Sequence, residues 1–216
     1  MTNNEMKAVE FLKEQLWKHD EIVEDSKIYR YEHSMRVAEI GRKIAKAEGL
    51  NEEALVLGCI LHDVGTYDSL ENTDDHGRVS AKISRKFLQS LNLSSEIIEE
   101  ICYGIAMHAD GNAGYEGEIT ALNKSIANSD NIDRFDAYRI FDLLRYMKFH
   151  EMTLADQLVY VDKFLTKLNK YRNVKFATKT GTDMWVDKIC FQIEFFERLK
   201  AQLGAGKQFK SEAVEE

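Results

Sequence analysis

The chain has 216 residues, 44% of them hydrophobic and 31% charged, the balance of a soluble globular protein long enough to bury a core. No apolar run approaches the roughly 18 residues a membrane span needs. The formal net charge of -8 excludes a protein that coats DNA or RNA through a broad basic surface, since such binding neutralises many phosphates. A small phosphorylated ligand, which needs only a few local cations, remains compatible with that charge. The opening residues show no cationic stretch followed by an apolar core, so no secretory signal is expected and the chain is read as cytoplasmic. Cys59, Cys102 and Cys190 are odd in number and in no CxxC spacing. They predict neither a disulfide framework nor a cysteine zinc site, and read as small core hydrophobes.

The sequence contains no proline, where average usage would give roughly ten. Helix stops must then come from glycine and asparagine, and Gly49, Asn51, Asn92, Gly111 and Gly114 stand where helical patterns end. No period-2 runs flanked by hairpin turns are visible, so the expected fold class is all-α. One domain over residues 1–203 is expected, followed by a flexible tail over 204–216.

Residues 4–19 predict an amphipathic helix with Val9, Leu12 and Leu16 near one side, followed by an acidic connector over 20–25. The next helix, about 30–48, has its stripe at Val37, Ile40 and Ile44. Stepping that stripe back four residues lands on His33, which is therefore expected to point inward. Asn51 caps a third helix, with Glu52 and Glu53 favourably placed near its N-terminus. That helix is apolar nearly all round, reads as central, and delivers His62 and Asp63 at its far end. Gly65 permits a break, and residues 66–75 read as a polar, acidic loop whose Asp68 and Glu71 are near enough in sequence to reach the same place.

His76 opens a helix to about residue 89, with Val79, Ile83 and Phe87 on one side and Asp74 or Asp75 as its cap. Ser94 or Ser95 begins the next, whose stripe of Ile97 or Ile98, Ile101 and Ile105 extends three residues to His108. A helix from near Glu118 has Ile119, Leu122 and Ile126 as its stripe, and four residues on stands Asp130. A carboxylate on an inner face needs a cation, a metal or a proton. Residues 135–149 and 154–168 read as two further helices, and 181–203 as a long final one rich in aromatics (Trp185, Phe191, Phe195, Phe196). Aromatics at this spacing are more often core than ligand contacts, and the helix that bears them also offers a face for a homodimer.

Each histidine taken singly could be structural. Together His33, His62, Asp63, His76, His108 and Asp130 put a ligand-type side chain on an apolar stripe, or at the end of an apolar helix, several times over. Imidazole nitrogens and carboxylate oxygens without thiolates suit iron, manganese, zinc and similar divalent ions.

The pattern HSMRV at 33–37, LHDVG at 61–65, HGRVSA at 76–81, His108 at a helix end and the stretch 116–137 containing Asp130 resembles the HD-domain metal-dependent phosphohydrolase superfamily, over about residues 25–140. The helices over 141–203 resemble the extension that some small bacterial HD hydrolases carry. The resemblance implies a helical bundle around the metal, with His33, His62, Asp63 and Asp130 as signature ligands. His76 and His108 match the extra histidines of branches that bind two ions, with Asp63 then bridging; a phosphate contact is the alternative role for His76. It further implies one or two divalent ions per chain, of Fe, Mn, Zn, Ni, Co or Mg, and water attack on a phosphate ester or anhydride of a nucleotide or similar small molecule, with Asp63 in the catalytic set. Arg36 and Arg134 are the candidate phosphate-binding cations, and Arg134 paired with Asp130 or Asp133 is the structural alternative. Thr66 and Tyr67 stand where the guanosine polyphosphate hydrolases of the superfamily carry an acidic pair, and the same Thr66 removes an acid placed there by its deoxynucleoside monophosphate phosphatases. No GYP-type cyclic dinucleotide motif follows. Two other functions share the pattern: a di-iron oxygenase, and a regulatory module that binds a nucleotide without turnover.

Overall fold

The computed structural model describes residues 1–69 and 75–212, with side chains to residue 205. Glu71 and Asp74 of the acidic loop lie outside the described residues, as do residues 213–216 of the expected tail. Among the described residues there are nine α-helices and no strand. The all-α expectation holds. The helices form two compact units, one of residues 1–133 with 176–181, the other of residues 134–175 with 182–216.

The first unit holds α1 (Asn3–Trp17), α2 (Glu24–Glu48), α3 (Glu52–Leu61), α4 (His76–Leu88), α5 (Ser95–Met107) and α6 (Ala121–Asp133). Local sequence sets most of the ends. Thr2 and Glu5 make a reciprocal capping box on α1, and Asn51 and Ser94 accept from the third backbone N–H of α3 and α5. Gly49 closes α2 in the left-handed region at φ 68°, which costs glycine little.

Two helix starts in this unit differ from the sequence reading. α2 begins at Glu24, because the last two residues of the expected acidic connector, Glu24 and Asp25, lie in its first turn and complement the helix dipole. α6 begins only at Ala121, because Thr120 and Asn123 cap each other's backbone N–H at 3.2 and 3.0 Å. Ile119 therefore stands outside the helix and is exposed, not part of the stripe.

Helix α3 is the centre of this unit: every residue from 54 to 61 is buried, and it packs against α1, α2, α5 and α6. Burying one such aliphatic side chain is worth about 1.5–3 kcal/mol, so the helix is anchored on all sides. Close approach is possible because two glycines face Ile126 of α6. A Cβ on Gly58 of α3 would lie 2.3 Å from Ile126 Cδ1, and one on Gly104 of α5 would lie 2.6 Å from the same atom. At Gly77 of α4 a Cβ would meet the Ala106 carbonyl of α5 at 2.7 Å. The chain thus draws together the ends of the helices that carry the ligand-type residues.

The second unit contains α7 (Ala137–Tyr146), α8 (Leu154–Tyr171) and most of α9 (Lys179–Glu212). Asp136 caps α7, which is shorter than expected and is followed by a single 3-10 turn at Phe149–Glu151. Trp185 is buried, packs its ring edge-on to Phe135 at 4.8 Å, and donates its indole N–H to the Tyr171 carbonyl at 2.8 Å. Phe196 is fully buried and meets Phe164 at 4.7 Å, whereas Phe191 is exposed. Two of the four aromatics singled out on α9 are thus fully core residues. α9 continues beyond residue 203 to Glu212, with no proline to interrupt its hydrogen-bond ladder.

Candidate metal centre

Six predicted ligand residues meet in the first unit. His33 comes from the middle of α2, His62 and Asp63 from the end of α3, His76 from the first residue of α4, His108 from the C-cap of α5, and Asp130 from the last turn of α6. All are buried except His76, which is partly exposed. Each imidazole or carboxylate sits where its helix ends or where its apolar stripe runs on.

Three of the four imidazoles are held in a defined tautomer. His62 Nδ1 lies 2.8 Å from the Cys59 carbonyl and His108 Nδ1 lies 2.7 Å from the Ile105 carbonyl. A carbonyl only accepts, so in both rings Nδ1 carries the proton and Nε2 presents a lone pair. His33 Nδ1 lies 2.7 Å from Asp133 Oδ2, the carboxylate–histidine pairing that orients metal-binding rings. Asp133 is fixed in turn by Arg36, whose Nε and Nη2 donate to it at 2.8 and 3.1 Å.

The inward-facing atoms fall into two sets that share Asp63. On one side Asp63 Oδ2 lies 3.4 Å from His62 Nε2 and 3.8 Å from His33 Nε2. His33 Nε2 is in turn 3.1 Å from Asp130 Oδ1, which is 3.9 Å from His62 Nε2. On the other side Asp63 Oδ1 lies 3.4 Å from His76 Nε2 and 3.5 Å from His108 Nε2, and those two nitrogens are 3.1 Å apart. Three triads of these residues, His33–His62–Asp63, His62–His108–Asp130 and Asp63–His76–His108, bring one donor atom each to within 4.8 Å of one another.

A divalent ion fits this arrangement. His62 Nε2 and Asp63 Oδ1 are buried without a hydrogen-bond partner, which is costly in a core unless a cation satisfies them. The donors are nitrogen and oxygen with no thiolate, and the outer partners of three rings are in place. The cluster can therefore hold a metal ion.

Electrostatics agree with a cation-binding site. Burial pushes Asp63 upward, but the Arg30 guanidinium and the rings of His62 and His108 outweigh it and hold the carboxyl well below its usual range. Burial likewise opposes ionisation of Asp130, and His33 with the neighbouring rings keeps it low. His33 is driven down by burial but lifted more strongly by Asp130, Asp133 and Asp63, to about 9. His108 is raised by Asp63 against its own burial.

Of the two candidate arginines, Arg36 reaches the cluster through Asp133, and so positions His33. Arg134 is exposed, just after α6 ends, and belongs to the second unit. Asp68 pairs with Lys18 at 2.9 Å and His19 at 3.4 Å, which ties the loop to the end of α1. Two residues of the site were not singled out in the sequence. Arg30 donates to Asp63 Oδ2, and Asp133, considered only as a partner for Arg134, holds His33. Both stand three residues from a ligand on the same helix face, and that spacing is the signal that could have found them.

Residues 30–135 match the family model of the HD domain. Over 84 residues the chain is 34% identical to an uncharacterized protein of Clostridium beijerinckii; the match covers 38% of this chain and 54% of the relative, so it spans about half that protein's length. The crystal structure of a predicted HD superfamily hydrolase from an uncultured Thermotogales bacterium has the same fold, with a TM-score of 0.66 over 91% of each chain at 18% identity. No described helix is long and apolar enough to cross a membrane.

Proposed function

We propose, from the premise that residues 30–135 form an HD domain, that the protein is a metal-dependent phosphohydrolase acting on a phosphate ester or anhydride of a nucleotide or similar small molecule. The observation that carries this reading is the pair of donor sets around Asp63, with one carboxylate oxygen toward each. His33, His62, Asp63 and Asp130 would hold one ion, and Asp63, His76 and His108 a second. Bound there, a divalent ion supplies an activated water near neutral pH and neutralises phosphoryl charge.

The protein's own residues supply orientation and shielding. The carbonyls of Cys59 and Ile105 and the carboxylate of Asp133 keep Nδ1 protonated and Nε2 turned inward. Burial of His33, His62, Asp63, His108 and Asp130 excludes bulk water from the donors, which strengthens every charge interaction among them. The partly exposed side chains of Arg30 and His76 mark the side from which a substrate is reached.

The test is metal analysis of the purified protein together with hydrolysis assays on a panel of nucleotides and generic phosphoesters. Expected are one or two ions per chain, hydrolysis by the manganese- or iron-loaded protein, and loss of both metal and activity in Asp63→Ala. Inactivity across the panel, with wild-type metal content in Asp63→Ala, would refute the proposal. A second reading, a di-iron oxygenase, draws on the same two donor sets sharing one carboxylate. Substrate-dependent oxygen consumption by the iron-loaded protein would favour it over hydrolysis.

A further inference from the structure

Arg30 places a guanidinium in direct contact with the donor cluster. It stands on α2 one turn before His33 and donates through Nη1 to Asp63 Oδ2. That oxygen is not spare: it is the one turned toward His62 Nε2 and His33 Nε2, at 3.4 and 3.8 Å. The guanidinium thus rests on the carboxylate oxygen that faces the His33–His62 donor set.

Two further features set Arg30 apart from a structural ion pair. Its Nε is buried and has no hydrogen-bond partner, although a guanidinium presents its donors as a planar fork suited to two oxygens at once. Its side chain is also partly open to solvent. Arg30 and His76 are 28% and 25% exposed, whereas the side chains of His33, His62, Asp63, His108 and Asp130 are at most 8% exposed. An anion arriving from solvent therefore meets Arg30 before it meets the buried donors.

We propose that Arg30 and a divalent ion compete for Asp63 Oδ2, and that the ion, on taking this oxygen, turns the guanidinium over to a phosphoryl oxygen of the substrate. The inference rests on the metal-dependent reading above and adds an order of events to it. A cation held on one carboxylate repels a second in a poorly screened site, so ion binding weakens the hold of Asp63 on Arg30. The released fork, with its already unpartnered Nε, then matches the geometry of a phosphate. The phosphate-binding cation is thereby made available only once the metal is in place.

Calorimetry with manganese alone, and with inorganic phosphate with and without saturating manganese, tests this on the full chain. Arg30→Gln should bind manganese about tenfold more tightly than wild type, since a competing cation is gone. It should bind phosphate in the presence of manganese at least about tenfold more weakly, the weight of a charge-assisted hydrogen bond. Arg30→Lys, which keeps the charge without the fork, should leave manganese affinity near wild type and still weaken phosphate by about tenfold. It carries the test if Arg30→Gln does not fold. Manganese affinity unchanged or weakened in Arg30→Gln, or phosphate affinity at the wild-type level in either variant, would overturn the proposal while leaving the metal reading intact. A wild-type chain that takes up no manganese would overturn both together.

Discussion

A single methyl group at Gly58 tests how the core builds the metal centre. The added Cβ would lie 2.3 Å from Ile126 Cδ1 and 2.9 Å from Cγ1, where carbon atoms settle at about 3.5–4.0 Å. Either Ile126 or helix α3 must therefore move by about 1 Å. Ile126 is fully buried, and it has little room to retreat toward α5, because a Cβ position on Gly104 already lies 2.6 Å from the same Cδ1. The expected cost of Gly58→Ala is that of overpacking, about 1–3 kcal/mol, or roughly 2–4 °C of melting temperature per kcal/mol for a chain of this size. His62 stands one turn after Gly58 and Asp130 one turn after Ile126. The same displacement should widen the 3.9 Å separation of His62 Nε2 and Asp130 Oδ1 and weaken manganese binding. Ile126→Val deletes Cδ1 and alone should cost about 0.5–1.5 kcal/mol. In the Gly58→Ala background it should recover about 1 kcal/mol, so the double variant should be more stable than the two losses summed. Urea unfolding of the four proteins, with calorimetric manganese titration, measures both effects. Strictly additive losses, or a Gly58→Ala chain as stable as wild type, would refute the close approach of α3 and α6.

Four other outcomes are expected. Asp133→Asn should weaken metal binding by about 10–100-fold, because His33 loses the carboxylate that fixes its Nδ1 proton; equilibrium dialysis with manganese reads this directly. His33 sits at about 9, so in a metal-free preparation it is a cation at neutral pH, and an ion taking Nε2 must displace its proton. Manganese uptake near neutrality should then release about one proton, seen by calorimetry in buffers of different ionisation enthalpy. The stability that this imidazolium lends the metal-free chain should be complete below 6.5 and lost as pH rises through about 9. Finally, Glu5 is buried and accepts from Thr2 N at 3.0 Å and Arg42 Nη2 at 2.9 Å. Burial opposes its ionisation, but Arg42 and the Thr2 N–H together hold it below its usual range. Glu5→Gln should cost about 1–3 kcal/mol near neutrality. The deficit should shrink as pH falls below about 4.3 and through the lowered native value, as followed by denaturation at a series of acid pH values.

Helical register made much of the centre legible. Val37 points back to His33, Ile105 forward to His108, and Ile126 forward to Asp130, and all three predicted side chains are buried where those stripes lead. Arg30 and Asp133 escaped because their roles arise only across helices. Arg30 meets the Asp63 carboxylate just after α3, and Asp133 meets an imidazole of α2. Arg36 was legible as a cation near the site, but its partner was not, since the choice between phosphate and Asp133 depends on how α2 lies against α6. Ile119 was misplaced for a local reason, the mutual capping of Thr120 and Asn123, which starts α6 one turn later than the apolar spacing suggests.

By itself the sequence determined the all-α class, the central place of the apolar α3, the six ligand-type residues and their order, and the resemblance to the HD superfamily. All but the resemblance, which rests on motifs spread over about residues 25–140, follow from periodicity and residue chemistry, which act within one helix. Only the tertiary structure decided that the six side chains form two donor sets sharing Asp63, that Asp133 rather than a backbone group orients His33, and that Arg30 rests on Asp63 Oδ2. Those facts depend on helices approaching across Gly58, Gly104 and Gly77 to within side-chain reach, and a hydrogen bond is made or lost over less than an ångström.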